Sequence, residues 1–260
     1  MKKKIIISNW KMAPNTFAEA EQILDATDEY LGSLNEKEFS LVFCPPFVFT
    51  EEIGKILRTS HLAHQAELGA QDIFWDDQGA DTGEISGPML SKLGVRYVIV
   101  GHSERRWKLG ESDEVTNKKL KAALRNELIP VICVGERERN FSAEGGSASG
   151  GKDFLKSQVV ATFAGLTSDD LGKCIIAYEP VWAISSNPGA KPDTPESAVE
   201  SISVIKEILN TAPCLYGGSV NSGNVRSFLA EDEVDGVLIG GASVDKEEFI
   251  KILSIVREII

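Results

Sequence analysis

Residues 174–180 read CIIAYEP. The apolar positions run without alternation, as in a strand covered on both faces. The run then ends on a carboxylate, Glu179, held between Tyr178 and Pro180. Working outward, the same pattern recurs at KIIISNWK (4–11), SLVFCPP (40–46), YVIVGHSE (97–104) and IPVICVGE (129–136). It recurs again at PCLYGGSV (213–220) and DGVLIGGAS (235–243), with a less regular candidate at LAHQAELGAQD (62–72). That makes about eight buried strands.

Amphipathic segments lie between them. FAEAEQILDATDEYL (17–31) places Phe17, Ala20, Ile23, Leu24, Ala26 and Leu31 near one side. TPESAVESISVIKEIL (194–209) opens with Thr194 before Pro195, a cap followed by proline in the first turn, and then repeats Ala198, Ile202, Ile205 and Leu209 at helical spacing. DKEEFIKILSIVREII (245–260) behaves alike. Strands and helices alternating along the whole chain predict a parallel α/β architecture. Eight repeats in 260 residues predict a closed (β/α)8 barrel, the TIM-barrel class, as a single domain over residues 1–260. No G-x-G-x-x-G follows the first strand, which argues against a dinucleotide-binding sheet. SAEGGSASGGKD, Ser142 to Asp153, is expected to be a surface loop between a strand and a helix.

Hydrophobic residues make up 42% of the chain and charged residues 25%, ordinary values for a globular enzyme. The net charge of −12 disfavours nucleic acid and anionic membrane as partners. An anionic substrate would need a local positive potential against that background. Cys44, Cys133, Cys174 and Cys214 form no C-x-x-C pair and lie in or beside apolar runs, so they read as buried thiols in a reducing compartment. In MKKKIIISNWK the apolar run is too short for a leader, which points to a cytoplasmic protein.

The informative polar residues follow the strands. Asn9 and Lys11 follow the first, His102, Ser103 and Glu104 the fourth, and Glu179 ends the sixth; Ser219 follows the seventh, and Gly240 and Gly241 the eighth. A parallel barrel brings these ends to one face, where such folds carry their chemistry. The two Gly-Gly turns let backbone approach an anion closely, and each precedes a helix-like segment whose free N–H groups suit a phosphate.

SNWKM, GHSERR, AYEPVWAI, YGGSVN and DGVLIGGASVD, in this order and spacing, resemble the signature segments of the triosephosphate isomerase family. The resemblance implies interconversion of dihydroxyacetone phosphate and glyceraldehyde 3-phosphate, in glycolysis and gluconeogenesis. By resemblance Glu179 is the base, His102 the electrophile, and Lys11 the cation at the substrate with Asn9 beside it. Glu104 supports the lysine. Ser185, Ser219, Gly240 and Gly241 match phosphate-binding positions. GAQD and TGEIS match the family's third-strand and dimer-loop segments, which implies a homodimer through the Gln71–Ser86 loop, with Thr82 at the intersubunit position. No cofactor and no metal are implied.

Elementary chemistry agrees. Abstracting a proton next to a carbonyl needs a placed base and a donor to the developing oxyanion. Burial under a closed lid would raise the proton affinity of Glu179. SERRW reads as a helix start after His102, whose positive end favours a neutral ring able to donate its N–H. His61 and His64 read as structural or exposed.

Two segments depart from the family pattern. Ser185, Ser186 and Asn187 replace the usual Gly-Thr-Gly after WAI, and about two extra residues precede TPE. This predicts a working lid with a displaced hinge. SAEGGSASGG after CVGERE replaces a tighter pattern and is expected to leave catalysis alone. Two other readings fit part of the sequence: a binding-only phosphosugar barrel with an impaired lid, or another sugar-phosphate barrel enzyme.

Overall fold

The computed structural model describes residues 3–32, 39–138, 150–185, 189–190, 192–210 and 212–260. Eight parallel strands close in sequence order into a barrel. They are β1 (Ile5–Asn9), β2 (Ser40–Cys44), β3 (Ala66–Ala70), β4 (Tyr97–Val100), β5 (Ile129–Val134), β6 (Ile175–Tyr178), β7 (Cys214–Tyr216) and β8 (Gly236–Ile239). The seam is a regular parallel ladder, with Ile5 opposite Gly236 and Ser8 opposite Ile239. The expected barrel is therefore present, strand for strand.

The helices are α1 (Phe17–Gly32), α2 (Thr50–Thr59), α3 (Gly87–Lys92), α4 (Ser103–Lys108), α5 (Asp113–Arg125), α6 (Gly150–Thr162), α7 (Ser168–Leu171), α8 (Pro195–Ile208), α9 (Val225–Leu229) and α10 (Lys246–Ile259). The unbroken apolar strands have a simple cause. Side chains alternate across each strand. Ile7, Val42, Ile99, Val131, Ala177, Leu215 and Leu238 fill the barrel interior. Ile6, Phe43, Val98, Ile132, Ile176 and Val237 pack against the helices instead. Both faces are dry, so neither needs polar residues.

Local signals act as read in most places. The Thr194 hydroxyl accepts Ser197 N–H at 3.3 Å, capping α8 with Pro195 in its first turn. Three details differ. In α1 the buried stripe takes Thr27 rather than Ala26, because the Thr27 hydroxyl donates to the Ile23 carbonyl within the helix and needs no water. In the third candidate strand, His61–His64 form a 3-10 turn capped by Ser60, and only Ala66–Ala70 joins the sheet. Gly150 to Asp153, expected in a loop, are already helical in α6, while residues 142–149 of that patch lie outside the described residues. The four cysteines are buried and form no disulfide, and His61 and His64 are exposed. Among the described residues no helix is long and apolar enough to cross a membrane.

Candidate active site

The strand ends converge as the topology requires. Asn9, Lys11, His102, Glu179, Ser185, Ser219, Gly240 and Gly241 all line one cavity of about 440 Å³ at the C-terminal mouth of the barrel. Glu104 stands behind it, in contact with Lys11.

Lys11 follows β1 with φ 56, left-handed backbone that is strained for a non-glycine residue. Asn9 is buried, and its Oδ1 accepts Lys11 N–H at 3.1 Å, helping to hold that conformation. The turn carries the ammonium across to α4, where Lys11 Nζ lies 2.9 Å from Glu104 Oε1. Burial pushes the Glu104 carboxyl up, but the Lys11 charge and hydrogen bond outweigh it and hold it below the usual carboxylate value.

His102 is the N-cap of α4, and its Nδ1 accepts Glu104 N–H at 3.2 Å. An Nδ1 that accepts cannot carry a proton, so the proton of the neutral ring sits on Nε2. That nitrogen points into the cavity, 3.0 Å from Glu179 Oε1.

Glu179 is only 2% exposed. Its backbone N–H donates to the Val134 carbonyl of β5 at 2.8 Å. Gly135 allows this approach, because a Cβ there would lie 1.9 Å from the Glu179 carbonyl oxygen. Glu179 Oε2 accepts Ser103 N–H at 2.9 Å. Burial acts on this carboxyl in the expected upward direction. It is outweighed by His102, by Ser103 N–H and by Lys11, so the carboxyl is held below its ordinary value. Two donors and a cation thus face the buried group in this arrangement.

On the far side of the cavity, Ser185 N–H donates to Ser219 Oγ at 2.6 Å, and that hydroxyl donates to the Ala183 carbonyl at 2.8 Å. Asn224 Nδ2 fixes the Ser219 carbonyl at 2.8 Å. Gly240 caps a 3-10 turn over Gly241–Ser243. Ser186 and Asn187, the other two positions of the altered hinge, lie outside the described residues.

Several neighbours had no role assigned from sequence. Ser103 lies inside GHSERR but acts through backbone N–H, which no residue type announces. Cys133 faces Glu179; burial first, and that carboxylate second, push its thiol up. Glu136 Oε1 accepts Tyr178 OH at 2.7 Å and Trp182 Nε1 at 2.8 Å, tying the strand that bears Glu179 to the start of the following loop. Its signal was a glutamate at the end of β5, the barrel position that marked the other site residues. Among the described residues, no group of three or more His, Cys, Asp or Glu side chains is arranged to hold a metal ion.

A second cavity, about 640 Å³, lies on the other side of Lys11 and is lined by Met12, Phe47, Gln71, Arg105 and Leu109 among others.

The triosephosphate isomerase family model matches residues 4–256. A triosephosphate isomerase of Synechococcus sp. (strain JA-2-3B'a(2-13)) is 41% identical over 98% of this chain and 97% of its own. One of Thermoanaerobacter sp. (strain X514) is 40% identical over 98% of this chain and all, 100%, of its own. The crystal structure of triosephosphate isomerase from Bartonella henselae superposes with a TM-score of 0.79 at 31% identity, covering 98% of this chain and 99% of that one.

Proposed function

The chain belongs to the triosephosphate isomerase family and interconverts dihydroxyacetone phosphate and D-glyceraldehyde 3-phosphate, and on that premise we propose that Glu179, His102 and Lys11 carry the reaction. Glu179 takes a proton from the carbon beside the substrate carbonyl. The electron pair moves onto the carbonyl oxygen, where His102 Nε2–H and the Lys11 ammonium stabilise the enediolate. His102 Nε2–H gives its proton to that oxygen and takes the proton of the adjacent hydroxyl, and return of the first proton to the neighbouring carbon completes the exchange, with no net redox change and no cofactor.

What supports this most directly is the shared cavity of Lys11, His102 and Glu179, with the base 3.0 Å from the donor. Substrate oxygen arriving at His102 Nε2 takes the place of Glu179 Oε1 and frees the carboxylate to face carbon. Asn9 and Glu104 hold Lys11. Ser185 N–H, Ser219 and the backbone at Gly240 and Gly241 receive the phosphate. The net charge of −12 is thus offset locally by one ammonium and several amides.

Residues 1–260 act as one barrel domain. The Gln71–Ser86 loop of one copy occupies the second cavity of another, giving a homodimer, with Thr82 exposed at its tip. Buried thiols that form no disulfide suit the cytoplasm, where glycolysis runs. A coupled assay on glyceraldehyde 3-phosphate tests the assignment: rapid turnover that Glu179→Gln abolishes supports it, and a fully active Glu179→Gln overturns it. No observation favours the binding-only or other sugar-phosphate readings.

A further inference from the structure

The motif GHSERR ends in two arginines, and the chemistry above uses neither. Arg105 turns outward to Asp72 and Glu111, with Nε 2.9 Å and 2.6 Å from their carboxylates. Arg106 turns inward, and its side chain is only 6% exposed. Its Nε donates to the Gly101 carbonyl at 2.6 Å, and one terminal nitrogen donates to the Cys133 carbonyl at 3.3 Å and to Thr162 Oγ1 at 3.3 Å. The other donates to Asp113 Oδ1 at 2.5 Å. One planar group thereby bridges the end of β4, the end of β5, and helices α5 and α6.

The two carbonyls lie at informative places. Gly101 directly precedes His102 and has φ 69, and a Cβ there would sit 2.6 Å from Thr116 Cγ2 and 2.9 Å from an Arg106 terminal nitrogen. The backbone that launches His102 is therefore packed against the guanidinium. Cys133 is one residue before Val134, whose carbonyl holds Glu179 N–H. Helix α4 has six residues, too few to hold its shape unaided. It nonetheless bears the N–H on Glu179, the acid on Lys11 and the cap of His102.

We propose that Arg106 is a positioning residue for the isomerase site: by clamping the carbonyls of Gly101 and Cys133 it sets the spacing between His102 and Glu179. It touches no substrate. The claim rests on the roles given above to those two residues. An arginine fork is needed because a lysine concentrates its donors on one nitrogen and cannot bridge both carbonyls and Asp113. A misplacement of about 1 Å near reacting atoms costs about a hundredfold in rate.

The test compares Arg106→Lys, Arg106→Ala and Asp113→Asn with the parent and with Glu179→Gln, measuring kcat, KM and Tm. Arg106→Lys keeps the charge and is expected to lose about tenfold to a hundredfold in kcat, with KM within about twofold. Arg106→Ala is expected to lose more, and to regain activity with added guanidinium ion but not with equal sodium chloride. Asp113→Asn is expected to lower Tm while keeping kcat within about twofold, because the carbonyl clamp survives. The proposal is overturned by a folded Arg106→Lys with parental kcat, by an Arg106→Lys that does not fold, or by Asp113→Asn losing as much kcat as Arg106→Lys. Full activity in Glu179→Gln overturns the assignment of the base instead, whatever the arginine variants do.

Discussion

Glu179 Oε1 and His102 Nε2 lie 3.0 Å apart, so the proposed base and the proposed donor satisfy each other. Neither is left as an unpaired polar group in a buried site, which would be costly. Substrate must displace this contact, and the contact it offers in exchange is the oxygen that becomes negative. Glu179→Gln tests the pair. A glutamine oxygen can still accept from Ser103 N–H, with its amide NH2 turned to His102 Nε2 in place of Oε1, so the volume is kept and the fold should survive. Loss of the base should lower kcat by about 10²–10⁴. The coupled assay gives kcat, and circular dichroism checks the fold.

The pH behaviour of Glu179 has a definite sign. His102, Ser103 N–H and Lys11 outweigh burial and hold its carboxyl below the ordinary value. A lowered acid favours the folded, ionised state. Its contribution to stability is present above the unfolded pKa, about 4.3 for glutamate, and is lost as pH falls through the folded value. Carbon-13 NMR of labelled glutamate should place the Glu179 midpoint below that of exposed glutamates. Lys11→Met should move it upward. A midpoint above the exposed glutamates would mean that burial dominates.

Ser219 ties the turn after β7 to the loop after Glu179, since its hydroxyl accepts from Ser185 N–H and donates to the Ala183 carbonyl. Ser219→Ala removes both contacts at once. The expected outcome is a raised KM, by about tenfold for a loss of about 1.4 kcal/mol in binding, with kcat reduced less. Steady-state kinetics with a phosphate-analogue inhibitor should show the same loss in affinity.

Lys119 predicts a different kind of effect. It is 2% exposed, and its ammonium lies 2.7 Å from Asp72 Oδ2 and 2.6 Å from Glu111 Oε1. Removing one partner of such a group strands the others in the interior. Lys119→Met should destabilise the protein by about 3–5 kcal/mol, as broken buried ion pairs do. Denaturant unfolding measures it. A loss under about 1 kcal/mol would place this cluster with solvent-screened surface pairs.

How much of this was legible in the sequence follows from where the information sits. The barrel was readable because both faces of each strand are dry, so Ile175–Tyr178 and its counterparts read as unbroken apolar runs. Lys11, His102 and Glu179 were readable because side-chain chemistry follows a strand end. The N–H of Ser103 was not, since every non-proline residue owns one. Arg106 was quoted yet assigned nothing, because its partners are carbonyls at Gly101 and Cys133 whose nearness only folding creates. The groups that oppose burial at Glu179 were not legible for the same reason: burial is visible in apolar flanks, whereas those groups come from the ends of β4 and β1. Leu62–His64 looked continuous with β3 because a short 3-10 turn leaves no periodicity to read.

The last prediction concerns the proposed dimer. Met12, Val48 and Leu109 are 94%, 81% and 66% exposed, and Met12 and Leu109 line the cavity beside Lys11. Large apolar groups gathered beside a groove mark an interaction surface. If a second copy's loop tip fills it, a charge at Leu109 must be buried without a partner. Leu109→Glu should raise the dimer dissociation constant by about a hundredfold or more, since about 2.8 kcal/mol suffices for that, and sedimentation should show monomer at micromolar concentration. Lys11 lies on the wall shared by both cavities, so activity should fall on dilution along the same curve as dissociation. A Leu109→Glu variant that stays dimeric removes this groove from the interface. A monomer with full kcat separates the interface from the chemistry.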